Sequence, residues 1–270
     1  MKQGAQDTRG IFITFEGGEG AGKSTHIAFL AHALRLQNRE VVCTFDPGGT
    51  PMAQKIRRVL LDPVDEDITP DCELFMFEAA RAQLVDSLIK PALSRGAIVL
   101  CDRFCDSTIA YQAFGRGLDR DFVERANAFA CKGIVPDRTI LMDTMQSEEE
   151  GLFRATHDLG ADRMENAGLE FHARVNNAFR QLAQENRDRI RIVSSKGDKP
   201  HTAHAVFTAL ADLFGWDPFN LPFDEDFFAQ AATFKGKVRH SNTEASDSAN
   251  AVTAKTMNTA VANPSSKDVH

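Results

Sequence analysis

No run of apolar residues in this 270-residue chain approaches the roughly 18 that cross a bilayer as a helix, which excludes a helical membrane protein. The opening MKQGAQDTRG lacks the apolar stretch of a secretory signal, so a cytoplasmic location is expected. Basic side chains are outnumbered, 31 Lys and Arg against 38 Asp and Glu, and a net charge of −7 argues against a duplex nucleic-acid partner while leaving room for a local basic site for a small anion. Cysteines are few: Cys43, Cys72, Cys101, Cys105 and Cys131 form no CxxC, are odd in number and fall mostly in apolar stretches, which predicts reduced, buried thiols. Residues 240–270 have almost no large apolar side chain and read as a disordered tail. No internal repeat at a fixed period is present.

What remains suffices for a substantial core, with 43% hydrophobic and 26% charged residues. Short apolar runs at Ile11–Gly17, Val41–Phe45, Ala97–Asp102, Arg138–Asp143 and Arg189–Val193 read as strands. Between them, apolar residues recur at helical spacing from the Gly-rich segment to about Gln37, and over 51–61, 70–94, 119–131, 147–156, 168–186 and 200–214. Such alternation predicts an α/β fold, a mostly parallel sheet covered on both faces, with ligands beyond the carboxyl ends of its strands. Residues 1–10 read as a flexible start and 11–214 as the main domain. Residues 215–239 hold Trp216, Phe219, Phe223, Phe227, Phe228 and Phe234 among acids and prolines, a docking segment for its own domain or for a partner.

Gly17-Gly18-Glu19-Gly20-Ala21-Gly22-Lys23-Ser24 satisfies G-x-x-x-x-G-K-[ST] directly after a strand and at the opening of a helix. Glycines let backbone N–H groups turn toward phosphates, the helix N-terminus adds partial positive charge, Lys23 reaches the β and γ phosphates, and Ser24 can bind Mg²⁺. The strand ending at Leu100 runs into Cys101-Asp102-Arg103, which places a carboxylate where it can complete the Mg²⁺ shell and a cation suited to a second phosphate. In the helix from Asp71 to Leu93, the stripe Leu74, Phe77, Leu84, Leu88 is interrupted by Arg81. Either Arg81 meets an acidic neighbour, or Phe77 and Arg81 together face a planar polar ligand.

From about Ile11 to Phe214 these features resemble the thymidylate kinases. The resemblance is carried by FEGGEGAGKST (15–25), DPGGT (46–50), LFMFEAARAQL (74–84), DRFCDSTIAYQ (102–112), GRGLD (115–119), PDRTILMD (136–143) and DRMExxxxxFHARV (162–175). It implies a P-loop NTPase fold with a five-stranded parallel sheet and a short lid, phosphorylation of dTMP by ATP with Mg²⁺, and a homodimer. On matching positions, 17–25, ending in Ser24 and Thr25, would hold ATP. Phe77 would stack on thymine and Arg81 bond its edge. Arg103 would hold the acceptor phosphate, with Glu19 near the sugar's 3′ side. Asp46, Ser107, Thr108, Tyr111 and Gln112 would complete the acceptor site. Tyr111 is the only tyrosine in the chain.

The chain departs from that pattern in two places. The arginine usual before the acidic P-G-G-T motif is Phe45, followed by Asp46. The lid, about 151–165, reads GLFRATHDLGADR over 151–163 and keeps only Arg154 and Arg163. An arginine finger is worth about 10³ to 10⁵ in rate, so the surviving lid cation matters, and Arg154 is the first candidate. Three other readings stay open. The first is a GTP-hydrolysing switch, from Asp46-Pro47-Gly48-Gly49 as D-x-x-G and the faint N-K-x-D echo in Ser195–Asp198. The others are a kinase for another small acceptor, and a nucleotide-binding interaction protein with weakened catalysis.

Overall fold

Five short strands lie side by side in one parallel sheet in the computed structural model of the chain, which describes residues 9–62, 68–144, 163–164 and 167–234. They are β1 (Phe12–Glu16), β2 (Val41–Phe45), β3 (Ile98–Asp102), β4 (Arg138–Asp143) and β5 (Ile190–Ser194), in the order β2-β3-β1-β4-β5. Each lies within two residues of the run expected from the sequence. The strand order reverses about β1, which opens a crevice at the strands' carboxyl ends. Register fixes what meets there: both Phe15 of β1 and Phe45 of β2 lie opposite Asp102 of β3.

The helices start where the sequence supplies caps. Thr50 accepts from Ala53 N–H to open α2 (Pro51–Leu61), and Thr69 accepts from Cys72 N–H to open α3 (Pro70–Leu84), both with proline in the first turn. Asp119 opens α6 (Arg120–Cys131) in the same way, and Asp198 opens α8 (Lys199–Phe214), which Gly215 ends in the left-handed region. The helix α1 (Lys23–Leu36) follows β1, and α7 (Leu169–Glu185) precedes β5. Beyond α3 the chain stays helical through a wide π-type segment, Val85–Ile89, into α4 (Lys90–Ser94), so the span 70–94 read from periodicity is helical throughout.

One helical stretch was not anticipated. After β3 the chain forms α5 (Cys105–Thr108) and a second wide segment, Ile109–Gly115, which carries Tyr111 and Gln112. Wide turns of this kind shift the spacing away from the ordinary helical period and occur often at functional sites. The expected helix at 147–156, residue Arg154, the lid apart from Arg163 and Met164, and the tail from 235 onward lie outside the described residues.

The aromatic segment after Gly215 packs on the far side of α1. Phe29 of α1 is fully buried, with ring centroids 5.9 Å from Phe207 of α8, 4.8 Å from Phe227 and 5.3 Å from Phe234. Phe227 and Phe228 belong to a short helix, α9 (Glu225–Ala229), and Phe228 lies 5.2 Å from Phe207. Phe219, in contrast, is 96% exposed.

Candidate active site

The loop after β1 needs its glycines. A Cβ on Gly17 would stand 2.3 Å from the Met142 carbonyl oxygen, and Gly20 and Gly22 hold φ values of +67° and +85°. Gly22 caps α1, so the loop sits at that helix's N-terminus with Lys23, Ser24 and half-buried Thr25 in the first turn. Lys23 Nζ donates to the Gly17 and Gly18 carbonyls at 3.2 and 2.9 Å. Burial, and then the charge of Arg103, lowers the Lys23 pKa. Ser24 Oγ donates to Asp102 Oδ2 at 2.6 Å. A hydroxyl and a carboxylate in contact are a hard oxygen set that fits Mg²⁺. Among the described residues no cluster of three or more His, Cys, Asp or Glu is placed to hold a metal.

Next to Asp102, Arg103 adopts φ +67°, a left-handed conformation costly for a residue with a Cβ. Its N–H donates to the Phe15 carbonyl at 2.9 Å and its carbonyl accepts from the Cys101 thiol at 3.0 Å. The guanidinium pairs with Glu19, donates to Ser107 Oγ at 3.2 Å and lies 5.1 Å from the centre of the Tyr111 ring. Tyr111 in turn donates to Glu19 Oε1 at 3.3 Å. Burial raises the Glu19 pKa, but Arg103 and then Lys23 outweigh it and hold the carboxyl at about 2. Behind this corner Glu16 is fully buried, and burial, then Asp106, pushes it up to about 7.

On α3, Arg81 is 1% exposed and, without a ligand, meets acidic neighbours, one of the two settings the sequence left open. Nε donates to Asp46 Oδ2 at 2.6 Å; Nη1 to Glu78 Oε1 at 2.9 Å and to Asn127; Nη2 to Thr108 Oγ1 at 2.7 Å and the Phe104 carbonyl at 3.3 Å. Those bonds use the five N–H groups a guanidinium has. A planar ligand reaches Arg81 only by exchange for one of them, and the Phe104 bond is the longest. Phe77, one turn earlier, is half-buried.

Gln112 forms part of the wall: it is 1% exposed, and Nε2 donates to Glu73 Oε1 at 2.7 Å. Glu73, which the sequence reading passed over, is fully buried and also takes Arg116 at 3.0 Å and Arg163 at 2.6 Å. Burial raises its pKa, and these donors together lower it below the usual value. Arg163 is thus the partner of Glu73 and of the Leu60 carbonyl at 3.0 Å. Arg57 was also missed: it donates to the Pro47 carbonyl at 2.9 Å and lies 5.4 Å from the Phe45 ring centre, beside the turn where the family's usual arginine is lacking. An acid at i−4 from Phe77, and an arginine just after the D-P-G-G-T turn, were the available signals.

Comparison with known proteins agrees with the resemblance. The thymidylate kinase family model matches residues 15–204. A thymidylate kinase of Trichlorobacter lovleyi is 45% identical over 206 residues, covering 74% of this chain and 96% of that protein. One from Pseudomonas fluorescens is 51% identical over 176 residues, covering 65% and 83% respectively. The crystal structure of thymidylate kinase from Ehrlichia chaffeensis superposes with a TM-score of 0.60 at 32% identity, covering 75% of this chain and 99% of that one.

Proposed function

The chain belongs to the thymidylate kinase family, and from that membership we propose that ATP, carried with Mg²⁺, donates its γ-phosphoryl group at the carboxyl end of β1 and β3. The chain converts dTMP to dTDP; the division of that work among residues is our reading. One observation carries it: the Ser24–Asp102 and Arg103–Glu19 pairs hang on adjacent residues of one corner, so donor and acceptor phosphates are brought to neighbouring cations. Ser24 and Asp102 would hold Mg²⁺, which draws charge from the β and γ oxygens. Loop N–H groups from 17 to 25 and Lys23 hold the triphosphate, the ammonium exchanging its loop carbonyls for phosphate oxygens.

The acceptor phosphate takes Arg103 in exchange for Glu19, which is then free for the deoxyribose. Phe77 stacks on thymine, Arg81 meets its edge by releasing a protein acceptor, and Asp46, Ser107, Thr108, Tyr111 and Gln112 shape the wall. The acceptor phosphate is already an anion, so no side-chain base is needed. With Arg163 engaged by Glu73, Arg154 is the lid cation proposed to meet the γ-phosphoryl group. ADP release from ATP is expected to be fastest with dTMP among dTMP, dUMP, dCMP, dGMP and UMP, and Arg154→Ala to lower kcat far more than dTMP binding. Turnover with dTMP no greater than without acceptor would end the reading of the acceptor site; an unchanged kcat in Arg154→Ala would end the finger assignment.

The reading includes a homodimer in the cytoplasm. Supporting it, Met52 and Val59 of α2, Phe75 of α3 and Phe122 of α6 are exposed on helices that pack on one another, and the Phe75 and Phe122 rings stand 6.2 Å apart. An apolar face of this kind fits a second copy of itself. Sedimentation equilibrium should give twice the chain mass, and Phe122→Asp should give the monomer; a monomeric parent at micromolar concentration would remove this part.

A further inference from the structure

The bond network around Arg103 has its root in an acid that the phosphate chemistry leaves unused. Glu16 ends β1, is 1% exposed, and spans two positions of the corner after β3: Oε1 accepts from the Phe104 N–H at 2.8 Å and Oε2 from the Ser107 hydroxyl at 2.6 Å. Ser107 Oγ is also the atom that receives Arg103 Nη1 at 3.2 Å. Arg103 therefore adjoins one residue tied to this carboxylate through its backbone and bonds another through its guanidinium, in a left-handed conformation that persists only where its surroundings over-determine it. Of the remaining ties, those from the Cys101 thiol and to the Phe15 carbonyl hold only the backbone of residue 103, while Glu19, which the acceptor phosphate would replace, and the Tyr111 ring meet the guanidinium itself.

We propose that Glu16 is the positioning residue for Arg103, aiming its guanidinium at the acceptor phosphate by fixing Phe104 and Ser107 from behind. The inference rests on the assignment of Arg103 to that phosphate. Both Glu16 oxygens are bonded within the protein, so it is given no nucleotide contact in this proposal. It bonds Phe104 and Ser107 and faces Arg103, while Asp106, held by Arg189 through two bonds of 2.6 and 2.8 Å, and the Lys23 ammonium act on it through charge. Removing the carboxylate strands a buried N–H at Phe104 and frees Ser107 to turn. A glutamine there keeps one acceptor for Phe104 and offers Ser107 an N–H in place of an oxygen, so the corner survives largely intact.

Steady-state kinetics of the full chain tests this with Glu16→Ala, Glu16→Gln and Arg103→Ala. Glu16→Ala is expected to raise the dTMP KM about tenfold or more while the ATP KM stays within about twofold, and Glu16→Gln to recover most of that loss. A dTMP KM unmoved in Glu16→Ala, an ATP KM that rises equally, or a glutamine variant as poor as the alanine one would overturn the proposal. Arg103→Ala separates the two layers. If it leaves the dTMP KM unchanged, the assignment of Arg103 fails; if it raises the KM and Glu16→Ala does not, only Glu16 is wrongly assigned. Should Glu16→Ala not fold, Glu16→Asp, too short to reach Phe104 and Ser107 together, takes its place with the same split expected.

Discussion

Arg81→Ala is expected to destabilise the protein by about 3–5 kcal/mol, because it leaves Asp46 and Glu78 buried, charged and without their common partner. In a domain of this size that corresponds to a fall in Tm of roughly 6–20 °C, readable by calorimetry. The starting state already carries strain of this kind, since Asp46 Oδ1 and Glu78 Oε2 have no hydrogen-bond partner. Arg81→Lys should recover only a minor part, because an ammonium offers three donors where five are used. Replacing Arg81 by Met together with Asp46 by Asn and Glu78 by Gln should cost less than Arg81→Ala alone, because no charge is then stranded. A Tm for Arg81→Ala within a few degrees of the parent would mean that α3 is held to the end of β2 by something other than this cluster.

The second large effect is expected from the aromatic segment. A chain ending at Gly215 loses Phe227 and Phe228, 9% and 5% exposed, and uncovers Phe29 and Phe207, both fully buried. Truncating one buried Phe costs about 3–5 kcal/mol, so losing several at once exceeds the stability of an ordinary domain. Such a chain should be insoluble or bind hydrophobic dyes, and Phe228→Ala alone should lower Tm by several degrees. A chain ending at residue 239 keeps the segment and should melt and turn over like the parent. A soluble, active chain ending at Gly215 would show the segment to be an ornament.

How much of this was legible follows from sequence distance. The phosphate loop occupies eight consecutive residues between a strand and a helix, and the five strands announce themselves as apolar runs. The pairing of Arg81 was half visible: Glu78 stands at i−3, but Asp46 lies 35 residues away beyond another helix. Glu16 looks in sequence like a strand-end acid facing water. Its burial exists only because the corner after β3 folds across it. Glu73 gathers arginines from positions 116 and 163, a convergence no local pattern encodes. Helical turns over 105–115 escaped because the wider turns break the 3.6-residue rhythm by which helices are recognised. The aromatic density after Gly215 was plain, but nothing in sequence links it to Phe29 of α1, roughly 200 residues earlier.

That contact between the two ends of the domain sets an order of events at the ribosome. The helix α1 is made early, yet its apolar back is sealed by side chains synthesised roughly 200 residues later, about 10–40 s at 5–20 residues per second. Until residue 234 has emerged, the nascent chain carries an uncovered aromatic face on α1, a natural handle for holding chaperones. Completion of the core around α1 therefore waits for the last aromatic side chains of the domain, and a chain terminated before them would keep those apolar surfaces exposed.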